Sequence, residues 1–387
     1  MTRAQGNLLG LVVFVMLMAG PAGTAHALDL EAPGQPAISV HGFVSQGFIK
    51  STGNDYLVTS KRGSFDFSDA GINVTTQVSD RLRLGLQLFA FNLGALGNYR
   101  VTADWYYLDY RLRDWFGMRA GRLKLPLGLY NDISDIDAAR VSILLPSSLY
   151  SPTSRDYFLA HTGAEVYGYV GLRRLGALDY RVYGGSVAID LPSQPGSATV
   201  ISRFGLPFIG GGRATWETPL EGLHIGGSAL YARLEAGYIL PMIGPVDIKS
   251  DVYSGIGSVE YAARELLLQA EYGQTRNETT SSNDAVVPTR AIVSEAMYLL
   301  SAYRVARWLQ PGAYYSLYHP NRNVRSGREN VQHDLAATLR FDINPNWLVK
   351  LEGHYMHGTA RISGTAVNRA TAPEDWALFL VKTTATF

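Results

Sequence analysis

Between residues 125 and 161 the chain reads LPLGLYNDISDIDAARVSILLPSSLYSPTSRDYFLAH, where Asp132, Asp135 and Asp137 precede Arg140. Four cations elsewhere, Arg122, Lys124, Arg213 and Lys382, fall on phases of extended segments that could turn them toward these carboxylates. The chemistry this supports is electrostatic rather than covalent. Opposed rows of charge across a gap set up a transverse field that orients polar solutes and biases ion passage. A second reading stays open, in which the acids solvate a loop or cap a short helix at SDIDAAR. No Ser/His/Asp spacing marks a nucleophile and its base; His161 near Ser154 and Asp156 is a proximity within one loop. His354 and His357 lie three apart, which on a strand puts them on opposite faces and rules out one shared ion. GGGR at 210–213 lacks the Lys-Ser/Thr of a phosphate loop. No cofactor and no metal are expected.

The elements that would position the charges follow from the rest of the chain. Residues 1–27 read as an export signal: Arg3, the apolar run LLGLVVFVMLMAG, then Ala25-His26-Ala27 as a small-x-small cleavage site. The full chain of 387 residues has 34 basic and 33 acidic residues; loss of Arg3 with the signal leaves 33 of each. That balance argues against a nucleic-acid partner held by bulk charge. With no cysteine, an exported chain must rely on packing and hydrogen bonds. After residue 27 no uncharged apolar run reaches the length of a transmembrane helix. The 40 Gly and 23 Tyr, with few Ala/Glu/Lys-rich stretches, indicate an all-β chain.

Two-fold alternation recurs in sixteen segments: 38–50, 64–77, 82–93, 100–112, 116–124, 162–174, 179–189, 208–217, 223–235, 248–262, 266–276, 289–304, 309–319, 332–343, 347–358 and 375–387. Residues 28–37 are left as a linker and 38–387 as one barrel domain. Every second connection is very short, as at SDR 79–81, RDW 113–115, ARE 263–265 and NPN 344–346. Those between are mostly longer and rich in Gly, Ser, Asn and Pro, with 94–99 brief. This rhythm is that of a transmembrane antiparallel β-barrel with short turns at one rim and long loops at the other.

The faces agree. In LRLGLQLFAF, Leu82, Leu84, Leu86 and Leu88 oppose Arg83, Gly85, Gln87 and Phe89. In LVKLEGHYM, Val349, Leu351, Gly353 and Tyr355 oppose Lys350, Glu352, His354 and Met356. A Lys or Arg on the lipid face costs about 2–4 kcal/mol at the midplane, so the charged faces must point inward. Sixteen strands enclose an interior too wide for wall side chains alone to fill. In the last segment Lys382 would face inward and take Trp376, Leu378 and Leu380 with it, an apolar patch suited to a folded-in loop.

The sequence ends LFLVKTTATF, and Phe387 resembles the terminal aromatic by which outer-membrane barrels are recognised for assembly, although Ala385 stands where a second aromatic is frequent. The stretch GRLKLPLGLYND at 121–132 resembles the G-x-x-K-x-P-x-G-L segment of porins related to the phosphate-selective O/P group. That resemblance implies a sixteen-stranded porin of the Gram-negative outer membrane, with segment 125–161 folded inward as a constriction after the fifth strand. Pro126 and Gly128 would end that strand and turn the chain inward. The implied activity is passive diffusion of small hydrophilic solutes or ions, and the implied partners are membrane lipid, the barrel-assembly machinery and two further copies in a homotrimer. A phosphate ladder is not evident, because the loop offers only Arg140 and Arg155, the latter beside Asp156. Two other classes compete: a barrel enzyme of lipase or protease type, and a soluble secreted β-protein used in adhesion.

Overall fold

The leucines of residues 82–91 face outward. Leu84, Leu86 and Leu88 are 38%, 38% and 40% exposed, whereas Gln87 and Phe89 on the alternate phase are each 4% exposed. The computed structural model describes residues 28–30, 36–94, 96–189, 200–363 and 368–387. The expected export signal lies outside them. Strand β1 (Leu28–Leu30) pairs with the start of β2 (Ile38–Ser51), so part of the expected linker is edge strand.

The wall continues through β3 (Phe67–Ser79), β4 (Leu82–Leu93), β5 (Thr102–Arg113), β6 (Phe116–Lys124), β7 (Ala160–Gly171) and β8 (Ala177–Ala188). It then runs through β9 (Val200–Glu217), β10 (Leu223–Leu240), β11 (Gly244–Ala263), β12 (Leu266–Ser281) and β13 (Arg290–Tyr303). Strands β14 (Leu309–His319), β15 (Gln332–Asn344), β16 (Trp347–Gly358) and β17 (Asp375–Thr386) complete it. Consecutive strands pair antiparallel from β2 to β17, and β17 returns to β2 from Leu378 opposite Ser51 to Thr386 opposite Phe43. Strands β2 to β17 form a closed ring of sixteen, the closure by which a barrel removes the open edges of a flat sheet.

Phe387 continues the seam. It exchanges two backbone hydrogen bonds with Gly42, each 3.0 Å. A Cβ at Gly42 would lie 2.4 Å from the Phe387 ring, so glycine there is what lets the aromatic lie across the closing strands. At the short-turn rim Trp115, Trp308 and Trp347 are exposed, the placement of an interfacial aromatic girdle.

Two expectations change. Strand β9 begins eight residues earlier than its clear alternation, and the expected long connection over 236–247 is a tight turn between β10 and β11. The β9–β10 register shifts between Arg233 and Glu235 and again between Gly237 and Tyr238, and such bulges break the two-fold alternation along both strands. The interior is also less uniformly polar than the charged faces suggest. Trp376, Leu378 and Leu380 form an inner apolar cluster with Tyr56, Val58, Ile143, Leu144 and Ile362, so the patch beside Lys382 does pack against inward loops. A second cluster joins Leu125 to Leu206, Ile209 and Leu230, and a third joins Tyr130, Val141 and Leu145 to Tyr298, Leu300 and Tyr314.

Candidate functional site

The segment between β6 and β7, residues 125–159, lies inside the ring. Its base is closed by Leu125, whose N–H donates to the Leu159 carbonyl at 2.9 Å. The expected sharp turn is at Gly128, with φ +62°. A Cβ there would meet the Tyr150 hydroxyl at 2.3 Å and Glu271 Oε1 at 2.8 Å. Past the turn, backbone donors find acceptors on the far wall. The N–H of Gly128 donates to Ser228 Oγ at 2.9 Å, and that of Leu129 to Glu271 Oε1 at 3.0 Å. The Tyr130 hydroxyl donates to Gln269 Oε1 at 2.6 Å, and the Tyr150 hydroxyl donates to Glu271. A chain crossing the lumen leaves its own backbone groups unpaired, and the wall supplies what a sheet neighbour otherwise would.

The three acids land at three places around the wall. Asp132 lies between Arg181 of β8 (2.7 Å) and Arg213 of β9 (3.2 Å). Asp135 pairs with Lys124 of β6 and with Arg155 (3.1 Å); the same two cations bind Asp104 of β5 at 3.2 and 2.9 Å. Asp137 receives Arg140 (2.8 Å), Lys382 of β17 (2.9 Å), the Thr384 hydroxyl (2.7 Å) and, further off, Lys350 of β16 (3.9 Å). Burial alone would raise the carboxyl pKa of Asp135 and Asp137. The adjoining cations outweigh it (Arg155 and Lys124 for the first; Lys382, Lys350 and Arg140 for the second) and hold both well below the usual carboxylate range. The acids are therefore ionised pins in direct contact with the wall rather than a row facing cations across a gap. Arg122 stands apart from them, its Nε donating to the Asp104 carbonyl at 3.0 Å. Lys382 also reaches Asp69 of β3 at 2.7 Å.

Strands β15 and β16 supply an anchor that the candidate residues did not include. Lys350 Nζ donates to the carbonyls of Asp137 (2.7 Å), Arg140 (2.9 Å) and Ser142 (3.2 Å). Glu352 accepts the N–H groups of Ile143 (2.7 Å) and Leu144 (2.8 Å). His354 stands between Asp334 (2.8 Å) and Glu352 (3.0 Å), while His357 pairs elsewhere, with Asp375 at 2.9 Å. The signal for this anchor was the polar phase of LVKLEGHYM; what the phase could not give was the distance to the loop. Asp104 carries no such signal, since the β4–β5 register shifts beside it. Among the described residues no group of three or more His, Asp or Glu side chains is placed to hold a metal ion.

The inward segment divides the lumen. Toward the long loops lies a cavity of about 360 Å³, bordered by Asp135, Arg140, Ile143, Leu144, Tyr318 and Arg361 among others. Toward the short turns lies another of about 420 Å³, bordered by Ile136, Asp137, Asn346, Thr384 and Phe387. An apolar outer band, a closed ring of sixteen strands and one long inward connection pinned by ion pairs define a porin-type barrel.

Solved structures carry the same architecture. The chain is similar to OmpF of Salmonella typhi in complex with daunomycin, at 14% identity and TM-score 0.59, over 93% of this chain and 100% of that one. It is similar to an anion-selective porin from Comamonas acidovorans at 11% identity and TM-score 0.57, over 91% and 100%. It is similar to OmpT of Vibrio cholerae, an outer membrane protein in its trimer form, at 14% identity and TM-score 0.54, over 91% and 100%. At such identities the likeness is one of fold. No protein-family model matches the sequence, and no curated protein does.

Proposed function

We propose that this chain is an outer-membrane diffusion channel for small hydrophilic solutes or ions, with selectivity set by residues 125–159 and the charges that hold them. The observation that carries this reading is the lumen itself: cavities on both sides of an inward segment whose acids are fixed to the wall by direct ion pairs. The apolar outer face suits lipid as its surroundings. The Comamonas neighbour is described as anion-selective and the Vibrio neighbour in a trimer form, which supports ion passage and a homotrimer here. Phe387 is the residue we assign to recognition by the barrel-assembly machinery. The reading assigns the chain no catalytic step.

Reversal potential in a salt gradient across a planar bilayer tests it. In Asp135→Asn, Lys124 and Arg155 keep, among the described residues, Asp104 alone as counter-charge, so the permeability ratio should move toward anions. A ratio identical to wild type removes the loop acids from selectivity.

A further inference from the structure

We propose that the cavity on the long-loop side of the inward segment is a binding station for organic anions that carry an apolar body, with Arg361 as the carboxylate receptor. This rests on the channel reading and names the class of solute that pauses there. Four cations border the cavity: Arg140, Arg155, Arg361 and Lys382. Three already have carboxylates, Arg140 with Asp137, Arg155 with Asp104 and Asp135, and Lys382 with Asp69 and Asp137.

Arg361 differs. Among the described residues no carboxylate pairs with it, and a second guanidinium, Arg369, repels its charge. The Nε atoms of both arginines are buried without a hydrogen-bond partner. The Arg361 guanidinium lies 3.5 Å above the Tyr318 ring centroid and donates through Nη2 to the Ser148 carbonyl. These contacts fix its plane and leave its charge unmatched. Burying a cation without a counter-ion is costly, and a planar guanidinium held in this way suits a carboxylate that arrives from solution.

The rest of the cavity speaks to the body of the ligand. Phe67, Phe91, Leu93, Ile143, Leu144 and Leu149 border it. A bare inorganic anion would leave that surface wetted, whereas a ring or short chain attached to the carboxylate covers it. A volume of about 360 Å³ falls within the roughly 300–1,000 Å³ range of small-molecule sites.

The test is calorimetric titration of the full-length protein in detergent with benzoate, with acetate as the anion lacking a body and benzyl alcohol as the body lacking a charge. Benzoate should bind saturably and at least tenfold more tightly than either. Arg361→Gln should weaken it tenfold or more, while Arg233→Gln, which disrupts an exposed pair with Asp251, should not change it. Heat-modifiable gel mobility certifies that each variant is folded. Should the Gln variant fail to fold, Arg361→Lys keeps the charge but loses the planar fork and should also bind more weakly. No saturable benzoate binding, equal affinity for acetate, or affinity unchanged in the folded Arg361 variant would each overturn the proposal. Benzoate binding by a barrel that carries no current would instead overturn the channel reading and leave the station standing.

Discussion

Asp137→Asn is the sharpest perturbation of the inward segment. The side chain is 1% exposed and takes contacts at 2.7 to 2.9 Å from Thr384, Arg140 and Lys382. In an effective dielectric of about 20, each charged contact of that length is worth roughly 6 kcal/mol before desolvation and cation–cation repulsion are subtracted. Net losses on breaking a buried pair are about 3–5 kcal/mol, because the partner charge is left uncompensated. Here Lys350, fully buried, and Arg140, 11% exposed, would be left in that state, while Lys382 keeps Asp69. At about 1.4 kcal/mol per tenfold, the detached population of the segment should rise by two to nearly four powers of ten. Asparagine keeps the shape and can still accept from Thr384, so the barrel should form. Single-channel recording in a planar bilayer should show added open-state noise or larger conductance substates. The double variant Asp137→Asn/Lys382→Met removes one charge of each sign and should recover part of the effect, by relieving the repulsion between Lys382 and the unpaired Lys350 and Arg140, while Asp69, 16% exposed, keeps Ser45 and access to water. Traces from both variants that superimpose on wild type would refute the pinning argument.

The pH dependence follows from the same carboxylates. Because the folded pKa values of Asp135 and Asp137 are depressed below about 3.9, their contribution is complete above that value and is lost only as pH falls through the lower folded values. On acidification from about pH 7 the conductance attributable to the segment should hold down to about 4.5; a loss as pH falls through about 6 contradicts the assignment. Leu86→Arg, on the outer face of β4, should destabilise the barrel in liposomes by about 2–4 kcal/mol, read from urea unfolding, and a neutral result would place that face away from lipid. Phe387→Ala should lower the yield of heat-modifiable barrel in cells without changing the conductance of what does assemble, because the ring packs over Gly42 at the seam.

The wall was legible because a strand with lipid on one side and protein or water on the other must alternate, and Leu84, Gln87, Lys350 and Glu352 all obey that rule. Legibility fails where bulges break the alternation, as between Arg233 and Glu235 of β10, and where both faces are polar, as over Asn277 to Ser281 at the top of β12. The site was half legible. Asp132, Asp135 and Asp137 stand out as charges in a long connection, and Lys124, Arg213 and Lys382 prove to be among their partners. Arg181, Lys350 and Glu352 were hidden because inward phase is shared by dozens of wall residues, and only the path of the crossing segment selects among them. Arg361 was hidden for the opposite reason: it lies in a loop, where no periodicity marks a direction.

Whether the folded barrel conducts decides the account most directly. Purified protein, shown to be folded by heat-modifiable mobility, should insert into a planar bilayer and give discrete, ohmic current steps that scale with salt. Protein that inserts with that mobility yet carries no current at any salt concentration would mean that residues 125–159 seal the lumen rather than narrow it.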